Sequence, residues 1–217
     1  KQDAPLVTNL LNAGSVVIGR TNTPEFSFRA ETENRLYGRT HNPWGLHASP
    51  GGSSGGAAAA VMSGIGALAH GNDIGGSLRF PAYATGSVTI KPGLNRVPAW
   101  NPSQKIERGA LSQQMSVQGF LARSVDDLRL GMQTAVQPCL GDPFHAPVPW
   151  NGDRPKTPIK IAFTKNTYEF NLDPEVSKSL DIAKSALIDA GYEVEEVDLP
   201  FLRECAMEGY RALLTEV

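Results

Sequence analysis

Two serines of this sequence stand in glycine-rich surroundings where they could carry out nucleophilic chemistry. The stretch GGSSGG spans Gly51–Gly56 and contains Ser53 and Ser54. The stretch DIGGS ends at Ser77, twenty-four positions after Ser53. A serine hydroxyl becomes an effective nucleophile when a neighbouring group accepts its proton. Because each serine stands before a segment that predicts a helix, the pair predicts an arrangement in which one hydroxyl activates the other.

The glycines before Ser77 predict a site for a negatively charged oxygen. Glycine adopts backbone conformations that other residues avoid, so the N–H groups of Ile74, Gly75, Gly76 and Ser77 can turn toward one point. Converging donors of this kind stabilise the oxyanion that forms when a nucleophile attacks a carbonyl. This pattern therefore indicates acyl transfer.

The residues that flank GGSSGG help to decide between other interpretations of this stretch. A Walker-type phosphate loop needs a lysine after the last glycine, but Ala57 stands there. The GxSxG pattern centred on Ser54 would need a preceding strand, whereas the residues before it are typical of a loop. A purely structural interpretation is also available, because serine and glycine favour the start of a helix, here from Ala57 to about Ile65.

The segments around the two serines follow an α/β pattern. Asp3 is predicted to cap a helix whose apolar residues run from Leu6 to Leu11 and which ends at Gly14. The β-branched run Ser15–Gly19 predicts a strand immediately afterwards. A helix that leads into a strand is half of an α/β unit.

The second half of the chain also predicts alternating strands and helices. The predicted elements there are strands at residues 160–165 and 192–199, a helix that Asp173 begins and Gly191 ends, and a final helix from about Phe201. Between the halves, Ser124 and Asp127 resemble a capping box and predict a helix of about three turns. The proline-rich segment 137–158 is predicted to be a surface excursion or a joint to a subregion.

Composition narrows the classes of partner. Twenty basic and twenty-two acidic residues give a formal charge of -2, and no basic block predicts a nucleic-acid or anionic-membrane surface. No apolar run reaches the eighteen residues of a membrane-spanning helix. Cys139 and Cys205 lack the spacing of a metal site, so we expect no metal, no cofactor and a cytoplasmic location. The start of the sequence, without Met, predicts that it comes from the middle of a longer chain.

In combination, four stretches resemble the amidase signature family of serine hydrolases. They are Asp3–Phe28, His41–Val61, Gly71–Ala82 and Gly119–Leu130. The likeness is dense from residue 3 to about residue 136, and beyond residue 157 only the α/β pattern remains. The resemblance implies α/β/α layers around a mixed, twisted central sheet, with residues 1–217 forming part of a single domain.

The resemblance also implies roles for individual residues. Ser77 matches the family's nucleophile, and Ser53 matches a bridging serine that follows a cis peptide bond at Gly52. Ile74, Gly75 and Gly76, together with the amide of Ser77, match the oxyanion hole. The family's third catalytic residue is a lysine that lies further upstream than the fifty-two residues before Ser53. We therefore expect residues 1–217 alone to be inactive.

Supporting roles are expected for the residues that flank the nucleophile. Asp73 and Arg79 are predicted to form a salt bridge that fixes the turn, and Arg79 could also contact the substrate. Asn72 stands where many relatives carry a hydroxyl residue. Lys91 and His70 are the alternative bases within the chain, and a structural role is the simpler interpretation of both.

The function that the resemblance implies is hydrolysis of the carbon–nitrogen bond of a small-molecule amide. Two alternatives stay open on the sequence alone. One is the amidase subunit of a tRNA-dependent amidotransferase, and the other is an inert, truncated module that keeps the fold. An oligomer is compatible with all three.

Overall fold

The computed structural model describes residues 2–106, 109–152 and 158–216, and it divides the chain into two compact units. Unit 1 contains residues 1–151 and unit 2 contains residues 152–217. The division falls inside the proline-rich segment 137–158, where a joint was one of the two predicted possibilities.

Unit 1 holds five α-helices, one short 3-10 helix and five strands within its described residues. The helices are α1 (Pro5–Asn12), α2 (Gly55–Met62), α3 (Arg79–Thr85), α4 (Ala110–Met115) and α5 (Val125–Ala135), and the 3-10 helix is Glu25–Ser27. The strands are β1 (Glu33–Asn34), β2 (Gly38–Arg39), β3 (Leu68–Asp73), β4 (Val88–Thr89) and β5 (Val117–Ala122).

The centre of unit 1 is a three-stranded antiparallel sheet in the order β3-β5-β4. Successive side chains of β5 point to opposite faces, as in any strand. Phe120 packs with Leu128 and Met132 of α5 on one face. Leu121 packs with Val61 of α2 and with Leu78 on the other face. Helices therefore cover both faces of this sheet, and the predicted α/β class is confirmed.

Unit 2 is a βαβ unit followed by one further helix. It contains β6 (Lys160–Phe163), α6 (Pro174–Asp189), β7 (Glu193–Glu196) and α7 (Leu202–Glu216), with β6 and β7 parallel. The Asp173 side chain accepts a hydrogen bond from the Glu175 amide at the start of α6, which confirms the predicted cap. Gly191 has a φ of +88° just after α6, as the predicted helix end requires.

Two predictions near the N-terminus are wrong. The cap of α1 is Ala4, without a side-chain hydrogen bond, because Pro5 occupies the first turn and Asp3 lies outside it. Residues 15–19 are irregular, and the side chains of Val16 and Ile18 are 82% and 70% exposed. A strand needs a hydrogen-bonded neighbour, and within the described residues no strand pairs with this segment.

The predicted start of α5 at Ser124 is confirmed. The Ser124 side chain accepts a hydrogen bond from the Asp127 amide at 3.1 Å, as in a capping box. Within the described part of the chain, no helix is both long and apolar enough to cross a membrane.

Candidate active site

The carboxylate of Asp73, the last residue of β3, organises the loop that carries Ser77. Asp73 is fully buried and accepts backbone hydrogen bonds from Gly76 at 2.9 Å, Leu78 at 3.0 Å and Arg79 at 3.3 Å. Three donors from the next six residues converge on one side chain. The chain therefore has to fold back over the end of β3, and this places Ser77 in the tight turn before α3.

Arg79 completes the partners of Asp73. Its Nε and terminal nitrogen lie 3.1 Å and 3.0 Å from the two carboxylate oxygens, so the predicted salt bridge is confirmed and is bidentate. Burial opposes the charge of Asp73, but the Arg79 guanidinium and the amides of Leu78 and Gly76 outweigh it and hold the pKa of the carboxyl below its ordinary value. Asp73 is thus a buried anion that its loop stabilises.

The amides of this loop fall into two groups. The Gly76 amide donates to Asp73 and is already occupied. The amides of Ile74, Gly75 and Ser77 donate to no acceptor within the described residues. Gly76 has a φ of +122°, a conformation that L-residues with side chains rarely adopt. The loop therefore offers three unoccupied donors around Ser77, whereas the sequence predicted that Gly76 would be a fourth.

The second serine loop contains the predicted cis peptide bond, between Gly52 and Ser53. The loop is buried, with Ser53 only 3% exposed. A Cβ on Gly52 would lie 2.5 Å from the Arg29 carbonyl oxygen. The hydroxyl of Thr32, itself fully buried, donates to the Gly51 carbonyl at 2.8 Å. The segment around residues 29–32 therefore packs directly on the loop and leaves space for glycine alone.

The glycines that follow in GGSSGG have the same explanation. A Cβ on Gly55 would collide with the side chain of Thr32, and one on Gly56 with the backbone of Asn22. Gly71, on β3, is equally restricted, since its Cβ would lie 2.5 Å from the Ser54 hydroxyl oxygen. The glycine-rich run is thus required by close approach of neighbouring chain segments on several sides.

A hydrogen bond joins the two serine loops. The Ser54 amide donates to the Ser77 carbonyl at 3.2 Å, and the Ser54 hydroxyl contacts the Asn72 carbonyl at 3.4 Å. Because Ser53 precedes Ser54, the structure brings Ser53 and Ser77 into one region at the start of α2 and α3. Neither Ser53 nor Ser77 makes a side-chain hydrogen bond to another described residue, so both hydroxyls are unengaged.

The alternative bases within the chain lie apart from this arrangement. His70 Nε2 is hydrogen-bonded to Gln118 Oε1 at 2.8 Å, and its ring meets Phe120 edge-on at 6.3 Å. Lys91 follows β4 and makes no hydrogen bond or ion pair with any residue that the structure describes. Neither side chain is bonded to Ser53 or Ser77.

Two contributors were not found by sequence reasoning. Ser54 was considered only as the centre of a GxSxG pattern, yet its amide connects the two loops. Thr32 supports Gly51 from nineteen positions away, inside a segment that resembles an ordinary polar loop. Neither role has a local sequence signal, because both depend on contacts between distant parts of the chain. Among the described residues, no group of three or more His, Cys, Asp or Glu side chains could hold a metal ion.

Comparison with known proteins identifies the family of the chain. The family model described as Amidase matches residues 1–217. The chain belongs to the amidase signature family. It is 52% identical to the indoleacetamide hydrolase of Bradyrhizobium japonicum over 198 residues, which is 91% of the chain and 43% of that protein. It is 34% identical to a glutamyl-tRNA(Gln) amidotransferase subunit of Pseudomonas savastanoi pv. phaseolicola, over 93% of the chain and 41% of that protein.

The chain is also similar to solved structures of amidase signature enzymes. The structure of 6-aminohexanoate cyclic dimer hydrolase complexed with substrate superimposes with a TM-score of 0.79 at 33% identity. The match covers 93% of this chain and 44% of that one. The chain thus spans less than half the length of the curated relatives and of this structural neighbour.

Proposed function

We propose that the protein is an amidase that hydrolyses the carbon–nitrogen bond of a small amide through an acyl-enzyme on Ser77. The observation that carries this proposal is the hydrogen bond from the Ser54 amide to the Ser77 carbonyl. It couples the loop with the cis peptide bond to the loop with three unoccupied amides. This bond supports the proposal because it joins the loop of the proposed bridging serine to the loop of the proposed nucleophile and its amide donors.

Each group has one task in the reaction. Ser77 Oγ attacks the amide carbonyl carbon while its proton passes to Ser53 and the proton of Ser53 passes to the base. The amides of Ile74, Gly75 and Ser77 donate to the oxygen that becomes negative. Collapse of this intermediate breaks the carbon–nitrogen bond, and the amine leaves with the proton that the base returns through Ser53. Water then attacks the ester of Ser77, which releases the carboxylic acid and restores the Ser77 hydroxyl.

The base in this proposal is a lysine outside residues 1–217. Within the chain, His70 is bonded to Gln118 and Lys91 is bonded to neither serine. A lysine accepts a proton near neutral pH only when burial or a neighbouring charge lowers its pKa. Asp73 and Arg79 act indirectly in this scheme, because their ion pair holds the loop in the shape that exposes the three amides.

The identity to the indoleacetamide hydrolase of Bradyrhizobium japonicum suggests the first substrates to test. Identity to that protein is 52%, against 34% to the amidotransferase component, so hydrolysis of an arylacetamide is favoured over transamidation. The partner that we propose is thus a small-molecule amide. Cys139 and Cys205 are unpaired, as in a reducing compartment, and we propose a cytoplasmic location.

The test is release of ammonia from indole-3-acetamide and phenylacetamide by the full-length protein. Ser77→Ala and Ser53→Ala should each lower kcat by at least about 10³-fold, since residues of a catalytic unit are individually indispensable. Ser54→Ala is the matched control, because it removes a hydroxyl whose one hydrogen bond to a described residue is 3.4 Å long, and it should retain activity within about tenfold. A Ser77→Ala enzyme as active as wild type would refute the proposal.

The same assay also tests the competing function, that of an amidotransferase component. If ammonia release occurred only with glutamine and only after addition of a partner protein, this chain would be an amidotransferase component. Turnover of an arylacetamide by the protein alone supports the amidase.

A further inference from the structure

A second feature of unit 1 is a cleft of about 890 Å³, lined by described residues between Gly93 and Val117, some of them on α4, and by the segment Gly141–Phe144. Its volume falls in the range of about 300–1,000 Å³ that is usual for small-molecule sites. No role was predicted for these residues from sequence. We propose that this cleft binds the aromatic ring of the amide substrate, a specificity that rests on the amidase function proposed above.

The position of the cleft connects it to Ser77. Val117 lines the cleft and is paired with Asp73 across the β3–β5 ladder, so the two side chains lie on the same face of the sheet. Two residues further along that face, a Cβ on Gly119 would lie 2.7 Å from a methyl group of Leu78, the residue after Ser77. Val117, at the inner end of the cleft, is therefore separated from the Ser77 loop only by the buried side chains of Asp73 and Leu78.

The two walls of the cleft are tied together through Asp142. Its Oδ2 accepts the amides of Ala99 at 2.7 Å and Trp100 at 3.1 Å, and its Oδ1 accepts the amide of Phe144 at 3.0 Å. The first two bonds cross forty-two or more positions of sequence and fix one segment against the other. The carboxylate is thereby used for structure and is not available to bind a cationic substrate group.

The chemistry of the lining favours an uncharged, flat ligand. Trp100 and Phe144 present aromatic rings that are 38% and 66% exposed. Among the described lining residues, Asp142 and Lys105 carry the charges, and the other polar groups are mainly neutral amides and a hydroxyl. Exposed aromatic groups in a concave site mark a ligand surface. An aromatic ring can stack on them, whereas the charged ends of free glutamine would find only one cation.

Gly141 sets the orientation of the Trp100 ring. A Cβ at position 141 would lie 2.9 Å from two carbon atoms of that ring. Gly141→Ala must therefore displace the indole, and it changes the cleft without removing a side chain. Trp100→Phe keeps a ring at the same place, while Trp100→Ala removes it.

The experiment compares phenylacetamide with acetamide, which lacks the ring, in the full-length protein. Trp100→Ala and Gly141→Ala should raise KM for phenylacetamide about tenfold, in line with the loss of one aromatic contact. The KM for acetamide should stay within about twofold of the wild-type value. Trp100→Phe should restore most of the affinity. Tyr210→Ala, which removes an exposed ring from α7, is the matched control and should leave KM for both substrates unchanged. Equal effects on both amides, or none on phenylacetamide, would overturn the cleft assignment.

Binding separates this inference from the amidase proposal. In the Ser77→Ala protein, calorimetry should detect phenylacetamide binding, and the additional change Trp100→Ala should weaken that binding about tenfold. Binding that depends on Trp100 supports the cleft even if no amide is turned over. Binding that Trp100→Ala does not weaken, or no binding at all, contradicts the proposed role of the cleft even if Ser77 is the nucleophile.

Discussion

The two serine loops of unit 1 are held in place by different means. The Ser53 loop is fixed by crowding, because the backbone of residues 29–32 leaves no space beside Gly52. The Ser77 loop is open, with nothing within 4 Å of a Cβ on Gly76, and it is fixed by hydrogen bonds to Asp73. In the proposed reaction, crowding would hold the bridging serine in place, while the buried anion would arrange the amides and leave one side of the loop free for substrate.

This contrast predicts different responses to mutation. In the crowded loop, an added methyl group must collide with backbone, so stability should fall first. In the open loop, an added methyl group or a lost charge should disturb the amides, so reactivity should fall more than stability.

The largest effect is expected from Gly52→Ala in the crowded loop. The new Cβ would lie 2.5 Å from the Arg29 oxygen and 2.8 Å from the Ala30 carbonyl carbon, and backbone atoms cannot give way cheaply. We expect the free energy of unfolding to fall by about 3 kcal/mol, at the upper end of the usual overpacking penalty. Urea denaturation measures it. The control is Gly19→Ala, whose Cβ meets nothing within 4 Å, and an equal loss there would remove the case for crowding.

Asp73→Asn should have the next largest effect, in the open loop. The variant loses the charge that strengthens bonds from Gly76, Leu78 and Arg79, and bonds to charged groups contribute about 1.5–3 kcal/mol. We expect destabilisation of about 2 kcal/mol together with a loss of Ser77 reactivity larger than that of Gly52→Ala at equal folded fraction. Arg79→Lys, which keeps the positive charge, should show a smaller version of both effects. If reactivity only followed the folded fraction, the loop would not depend on this anion.

The charge of Asp73 also predicts how the free energy of unfolding depends on pH. The folded pKa of Asp73 lies below its ordinary value of 3.8, so its stabilising contribution is complete above that value and disappears as pH falls through the folded pKa. The difference in unfolding free energy between wild type and Asp73→Asn should therefore be constant near neutral pH and shrink below about pH 4. Denaturation curves from about pH 3 to 7 measure it, and a difference that grew on acidification would contradict the assigned ion pair.

Gly76→Ala should act mainly through backbone conformation. A φ of +122° is unfavourable for alanine, and backbone strain of this kind costs about 1–3 kcal/mol. Since the space around position 76 is open, we expect destabilisation at the low end of that range and a clear drop in reactivity at Ser77. Reaction with a fluorophosphonate gives the rate, and Gly152→Ala, at another open glycine, is the comparison. An unchanged labelling rate would show that the loop tolerates another backbone shape.

The smallest effect is expected from Thr32→Val beneath the crowded loop. Valine keeps the shape of threonine but removes the hydroxyl that donates to the Gly51 carbonyl at 2.8 Å. A net loss of about 1 kcal/mol follows from one buried hydrogen bond. Thermal denaturation measures it, with Thr134→Val on the exposed side of α5 as control. Destabilisation no greater than in that control would mean that packing alone supports the loop.

The features that sequence predicted are those with local signals. Ser124 and Asp173 are followed by the short pattern of a helix start, and both cap their helices as predicted. The cis bond before Ser53 was implied by a specific family motif. The segment 15–19 has the composition of a strand, but a strand also depends on a pairing partner that its own residues do not encode.

The rest of the site arises from contacts between distant positions. Asp73 was expected to bind Arg79, yet its three backbone donors depend on how the loop folds back. Thr32 and Ser54 lie in loops that no periodicity describes, and the cleft around Trp100 is lined by loops and by α4. Sequence therefore predicted which serines react, whereas the structure was needed to find what holds them.

The most direct test of the central claim is the position of a fluorophosphonate label on the full-length protein, read by peptide mass spectrometry. The account predicts a single adduct on Ser77. It further predicts a much slower adduct at the same residue in Ser53→Ala and none in Ser77→Ala. A label on Ser53 or Ser54 in the wild-type protein, or persistent labelling of Ser77→Ala in this region, would contradict it.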